Sequence, residues 1–192
     1  MSQSLEKNKI LIIDFGSQLT QLIARRVRES GVYSEIHPFH SVSKTTIIEF
    51  NPLGIILSGG PASVHLATTP RAPDEIFDMG VPILGVCYGQ QTMVSQLGGK
   101  VAPTSLREFG RATIKIHKNS PLIDSFWEIG NKYPVWMSHG DRVESLPEGF
   151  EVVAATPNAP YAVISDEKRK LDGVQFHHEV EHTPDGSALL RN

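Results

Sequence analysis

Val81-Pro-Ile-Leu-Gly-Val-Cys87-Tyr-Gly-Gln-Gln-Thr-Met-Val-Ser-Gln-Leu97 is the stretch from which the fold is read. Its first part, to Val86, is a short apolar run, the pattern of a strand buried on both faces. From Tyr88 to Leu97 the spacing of Met93, Val94 and Leu97 is helical, and Gly98-Gly99 ends the element. Strand and helix meet at Gly85-Val-Cys87-Tyr-Gly89, which has the form of the G-x-S-x-G elbow with sulfur in place of oxygen. So tight a turn leaves room only for glycine on either side. It projects the central side chain from the C-terminal edge of the sheet, where open α/β sheets place their sites.

Outward from this unit, strands and helices alternate. Lys9 to Asp14 reads as a buried strand. A helix follows the Phe15-Gly16-Ser17 turn, carrying Leu19, Leu22, Ile23 and Val27 on one face and ending at Gly31. Val32 to Ile36 is a second strand, Thr45 to Phe50 a helix stopped by Pro52, and Gly54 to Leu57 a third strand. Pro73 to Met79 is a short helix before the fourth strand. Such alternation predicts an α/β fold with a doubly wound, mostly parallel central sheet flanked by helices. Beyond residue 100 the texture changes. Ala112 to His117, parts of Glu151 to Ser165, and Leu171 to Phe176 alternate apolar and polar residues, which predicts added antiparallel or edge strands in the C-terminal half. No linker separates the halves, so residues 1–192 are expected to form one domain. Thr183-Pro184-Asp185 predicts a helix start, with Thr183 as N-cap and Pro184 in the first turn. The apolar Ala188, Leu189 and Leu190 follow, and the expectation is that the chain is the N-terminal part of a longer polypeptide.

The chain has 192 residues, 40% of them hydrophobic and 20% charged, and a net charge of −3, so nothing suggests a nucleic-acid or anionic-membrane surface. Its longest apolar stretch near the N-terminus, Ile10 to Ile13, is too short for a signal core or a membrane span. With one cysteine there is no internal disulfide, and a lone thiol points to the cytoplasm. A free cysteine is ordinarily small core filler. Here the helix after Cys87 would aim its dipole and free N–H groups at the sulfur, favouring thiolate, the nucleophilic form.

A cysteine hydrolase also needs a base, an acid that orients it and donors for an oxyanion. Gln175-Phe-His177-His178-Glu179 ends another predicted strand. In extended chain His177 and Glu179 share a face and His178 points the other way. A carboxylate beside His177 would fix its tautomer and raise its basicity. Ser58-Gly-Gly-Pro61 allows close backbone approach, and the N–H groups of Gly60 and Tyr88 are the candidate donors. His178-Glu-Val-Glu-His182 also matches the H-E-x-x-H zinc pattern letter for letter. That pattern works on a helix, whereas this segment follows a strand-like run and meets Thr183-Pro184, so no metal site is expected.

Taken with Gly85-Val-Cys87-Tyr-Gly89-Gln-Gln91, Ser58-Gly-Gly-Pro61 and His177-x-Glu179, the chain resembles class I glutamine amidotransferases. Asp14-Phe-Gly-Ser-Gln18, Trp136-Met-Ser-His-Gly-Asp141 and Glu179-Val-x-His-Thr183 are similar to the members that supply ammonia for making GMP from XMP. The resemblance covers essentially the whole chain. It implies Cys87 as nucleophile, His177 as base and acid, Glu179 as orienting acid, and Gly60 and Tyr88 at the oxyanion hole. It also implies Gln91, Ser138, His139 and Gly140 around the amino and carboxylate groups of a glutamine substrate. Its implied partner is an ATP-dependent synthetase portion, through which a homodimer could form. ATP and Mg are expected only there, because nothing here resembles a P-loop, and the domain itself is expected to need no cofactor. An amidotransferase serving another acceptor, or a regulatory domain of the same fold, are the alternative readings. One departure stands out: the family usually has His-Pro-Glu, and His178 replaces that proline.

Overall fold

A computed structural model describes residues 8–66 and 68–192, with all their side chains except those of Thr104 and Leu106. Among the described residues nine strands form one sheet: β1 (Lys9–Asp14), β2 (Tyr33–Pro38), β3 (Gly54–Leu57), β4 (Ile83–Val86), β5 (Lys100–Ile116), β6 (Lys132–Ser145), β7 (Glu151–Ala155), β8 (Val163–Asp166) and β9 (Leu171–Val174). Their order is β2-β1-β3-β4-β9-β8-β7-β5-β6. The first five in that order are parallel and the remaining pairings antiparallel. The helices are α1 (Thr20–Glu29), α2 (Lys44–Phe50), α3 (Tyr88–Gln96) and α4 (Gly186–Arg191), with two short 3-10 turns, Phe39–Ser41 and Asp74–Asp78.

Two-sided burial explains the continuous apolar strands. On β1, Ile12 faces α1 and α4, packing with Ile23, Val27 and Leu189. Leu11 and Ile13 face the other side with Ile47 of α2 and Met93 and Val94 of α3. Ile12 and Ile13 are fully withdrawn from water, and burial of such side chains is worth about 1.5–3 kcal/mol each.

The C-terminal half departs from expectation in three places. First, Leu171–Val174 has the expected antiparallel neighbour on one side only and is not at an edge. It lies mid-sheet between β4, parallel, and β8, antiparallel. Second, sequence reading found only the end of β5 and none of β6, yet these form a ribbon of 17 and 14 residues. The ribbon meets the rest of the sheet through β5, whose pairing with β7 is confined to Lys115 and Ile116. One face of β6 is nonetheless buried at Val135, Met137, His139 and Val143, but polar His139 and Asp141 interrupt it, and the ribbon's register shifts between Pro103 and Glu108, which weakens the apolar–polar signal. Third, Thr183 does not cap a helix. Asp185 holds the N-cap position of α4. The Thr183 hydroxyl instead donates to His177 O at 2.6 Å and accepts from Trp136 N at 3.0 Å.

Candidate active site

Cys87 joins β4 to α3 with φ 53° and ψ −108°, a left-handed backbone that side chains rarely adopt. Its surroundings enforce the turn. A Cβ on Gly85 would lie 2.7 Å from Gln90 N, and one on Gly89 would collide with Leu57 O. The Cys87 N–H donates to Val174 O of β9 at 2.7 Å, and Cys87 O accepts from Gln91 N at 3.1 Å to open α3. Cys87 is 7% exposed.

Three residues past the end of β9, His177 is held by a single bridge to β6, its N–H donating to Trp136 O at 2.9 Å. His177 Nδ1 lies 2.8 Å from Glu179 Oε1. A carboxylate partner requires the proton on Nδ1, leaving Nε2 for the thiol. Burial alone would lower the pKa of His177. Hydrogen bonding and charge from Cys87 and Glu179 outweigh burial and push it up to about 10. For Glu179, burial acts to raise the pKa, while the hydrogen bond from His177 and the charges of both histidines hold it below the ordinary carboxylate value. Arg26 of α1 donates from Nε to Glu179 O at 3.0 Å, anchoring the acid's backbone.

His178 is not turned away from Glu179. The chain bends after Val174 instead of staying extended, so strand parity does not apply. His178 is buried, with Nδ1 3.7 Å from Glu179 Oε2, and among the described residues neither ring nitrogen nor that oxygen has a hydrogen-bond partner. Burial pushes its pKa down. The segment 178–182 consists of bends and turns, so His178 and His182 do not share a helical face. His182 instead packs against Trp136, with ring centroids 4.3 Å apart and planes tilted by 39°.

A cleft of about 390 Å³ opens beside the sulfur, walled by Gly60 on one side, Tyr88 and Gln91 on α3, and Ser138, His139 and Gly140 on β6. Gly60 has no room for a side chain, since a Cβ would lie 2.8 Å from Phe15 O. Ser58 secures this turn by accepting from Phe15 N at 3.0 Å and donating to Gly59 O at 2.8 Å.

Three comparisons with known proteins place the chain in a family. The family described as Glutamine amidotransferase class-I matches residues 11–192. The chain belongs to that family. It is 59% identical over 192 residues to a GMP synthase [glutamine-hydrolyzing] of Agrobacterium fabrum, covering all of this chain and 36% of that protein. It is 58% identical over 192 residues to the protein of the same name in Brucella melitensis biotype 1, covering 38% of it. The chain thus spans little more than a third of these relatives. Among solved structures, a Thermoplasma acidophilum protein assigned as one subunit of GMP synthase superposes with TM-score 0.81 at 25% identity, over 96% of this chain and 91% of that one. A glutamine amidotransferase of Thermotoga maritima shares the fold with TM-score 0.72 at 20% identity, over 91% and 77%.

Within this amidotransferase two expected substrate contacts have other partners. Gln91 donates from Nε2 to Asp141 O at 2.9 Å and to Gln175 Oε1 at 3.0 Å. His139 has Asp141 O 3.0 Å from Nδ1 and Glu108 Oε2 3.1 Å from Nε2. Both side chains therefore shape the cleft wall. Ser138 reaches the nucleophile through its backbone, with Cys87 Sγ donating to Ser138 O at 3.5 Å. Sequence reasoning missed Glu108, Arg107 and Phe109, all delivered by the ribbon, and it gave no role to Asp141 or Gln175. Those two carried a signal, Asp141 closing the Trp136–Asp141 segment and Gln175 lying two residues before His177.

Proposed function

We propose that the chain is the glutaminase part of an ATP-dependent, GMP-forming synthetase. The observation that carries this reading is the line Cys87–His177–Glu179, with an imidazole hydrogen-bonded to a buried carboxylate and electrostatically coupled to a thiol on a strained elbow. Cys87 thiolate attacks the side-chain carbonyl carbon of glutamine. Negative charge gathers on the carbonyl oxygen and is received by the N–H groups of Gly60 and Tyr88, a role supported by both residues lining the cleft beside the sulfur. The His177 imidazolium gives its Nε2 proton to the amide nitrogen, the C–N bond breaks and ammonia leaves, giving a glutamyl thioester. Neutral His177 then takes a proton from water, whose oxygen attacks the thioester. Glutamate departs and the thiolate–imidazolium pair is restored.

The acceptor reading rests on the full-length likeness to GMP synthases. In it, ammonia passes to a synthetase portion that holds ATP and Mg and converts XMP to GMP. The cytoplasm is the compartment this reading assigns, in keeping with one free thiol. Among the described residues no helix is long and apolar enough to cross a membrane. The test is glutamate release by the chain alone and with the synthetase portion, ATP and XMP. Stimulation by XMP and ATP is expected. Equal rates in both conditions would remove the coupling, and an absence of glutamate in both would remove the enzyme.

A further inference from the structure

The triad does not account for every group on the Cys87 sulfur. Gln175 Nε2 lies 3.7 Å from Sγ, in a geometry where the amide donates and sulfur accepts. Which end of an amide faces a neighbour is settled by its hydrogen-bond partners, and here the partners leave one choice. Gln91 Nε2 carries two hydrogens, directed at Asp141 O and Gln175 Oε1, both acceptors. Turning Gln91 over would set its oxygen against a backbone carbonyl, and turning Gln175 over would set nitrogen against nitrogen. The chain from Asp141 O through Gln91 and Gln175 to Cys87 thus has a single polarity and ends in an N–H aimed at sulfur. Gln91 and Gln175 are 4% and 2% exposed, so water competes little for these bonds.

We propose that Gln175 is a fourth catalytic residue, whose side-chain N–H stabilises the negative charge of the Cys87 thiolate, and that Gln91 is the residue positioning it. The inference rests on Cys87 being the nucleophile and adds how its charge is held. Thiolate and imidazolium are then each braced from behind, the imidazolium by Glu179 and the thiolate by Gln175. A thioester sulfur is neutral and a poor acceptor, so the same N–H favours the thiolate as leaving group when water opens the thioester.

The test is alkylation of Cys87 by iodoacetamide from pH 5 to 10, which needs no glutamine recognition. Gln175→Met keeps the length and removes the donor. Below neutral pH it should alkylate about tenfold more slowly than wild type, the loss expected for a hydrogen bond to a charged group. The gap should close at high pH, where both sulfurs are ionised and the less stabilised thiolate is no weaker a nucleophile. Gln91→Leu should give the same pattern in weaker form. A Gln175→Met profile identical to wild type, or slowed equally at every pH, would overturn the proposal. Failure of wild-type Cys87 to alkylate would instead overturn its role as nucleophile. If Gln175→Met does not fold, the side-chain amide resonance of Gln175 in wild type supplies the answer, since alkylation must shift it. An unshifted resonance would again overturn the proposal.

Discussion

The two sides of the active-site cleft are built on opposite plans. On one, β1 to β4 and α3 follow one another in sequence, the inner strands β1, β3 and β4 bury residues on both faces, and Cys87 sits on a turn with no spare volume. On the other, the β5–β6 ribbon is joined to the sheet at two residues of β5, and its Glu108–Gly110 stretch pairs with Met137–His139 some thirty residues away. The segment 175–179 hangs between them. Cys87 N–H bonds to Val174 O just before it, and His177 N–H bonds to Trp136 O of the ribbon. The nucleophile's geometry is thus set by covalent and steric constraint, while that of its base depends on long-range hydrogen bonds. Substitutions should separate the two.

The largest effects belong to the sheet side. Cys87→Ala should lower glutamate release by at least about 10³-fold with melting behaviour intact. Retained turnover would dismiss the nucleophile. Gly89→Ala should abolish folding, because its Cβ meets Leu57 O inside the sheet. A cooperative wild-type-like melt would show that the elbow has slack. His177→Ala should cost about 10²–10⁴-fold in glutaminase rate, with His178→Ala far milder. The reverse order would transfer the base role to His178.

Ribbon-side effects should be smaller and graded. Thr183→Val removes the hydroxyl that ties Trp136 N to His177 O, and kcat should fall about tenfold with KM little changed. Thr183→Ser should restore it. If serine fails as badly as valine, packing and not the hydroxyl is what positions His177.

The smallest effect is on pH dependence. His178 is held below its ordinary value of 6.5 by burial, so under that pH the unfolded chain binds a proton that the folded chain refuses. Stability therefore drops as pH falls through 6.5. His177, raised to about 10, acts oppositely: its contribution is complete below 6.5 and is lost as pH rises through about 10. Glu179, with its pKa lowered, contributes above 4.5 and loses that contribution as pH falls through its folded value. Melting temperatures from pH 7 to 5.5 should accordingly fall more steeply for wild type than for His178→Leu. Parallel curves would mean His178 does not titrate on unfolding in this range.

Legibility followed the same division. The boundaries of β1, β3 and α3, and the elbow between β4 and α3, were readable because their signals are local: apolar runs, helical spacing and paired glycines. The pairing of His177 with Glu179 was readable because the residues are two apart. Strand parity was nevertheless the wrong reason for it, since the chain bends there and brings His178 against the same carboxylate. β6 was not read because its buried face, Val135, Met137, His139 and Val143, mixes apolar with polar residues where it lines the cleft. Gln91 and His139 were expected at substrate but have protein partners, because Asp141, Gln175 and Glu108 reach them only once distant strands pair.

By itself, then, the sequence determined the strand–helix succession, the candidates Cys87, His177 and Glu179 for nucleophile, base and acid, and the glycines that a strained turn requires. All of these follow from backbone sterics and short-range periodicity. Tertiary structure alone decided that β9 enters mid-sheet, that Thr183 holds the base in place of capping a helix, and that Gln175 points a donor at sulfur. Those outcomes depend on hydrogen bonds between residues tens of positions apart, and no local pattern encodes which donor will find which acceptor.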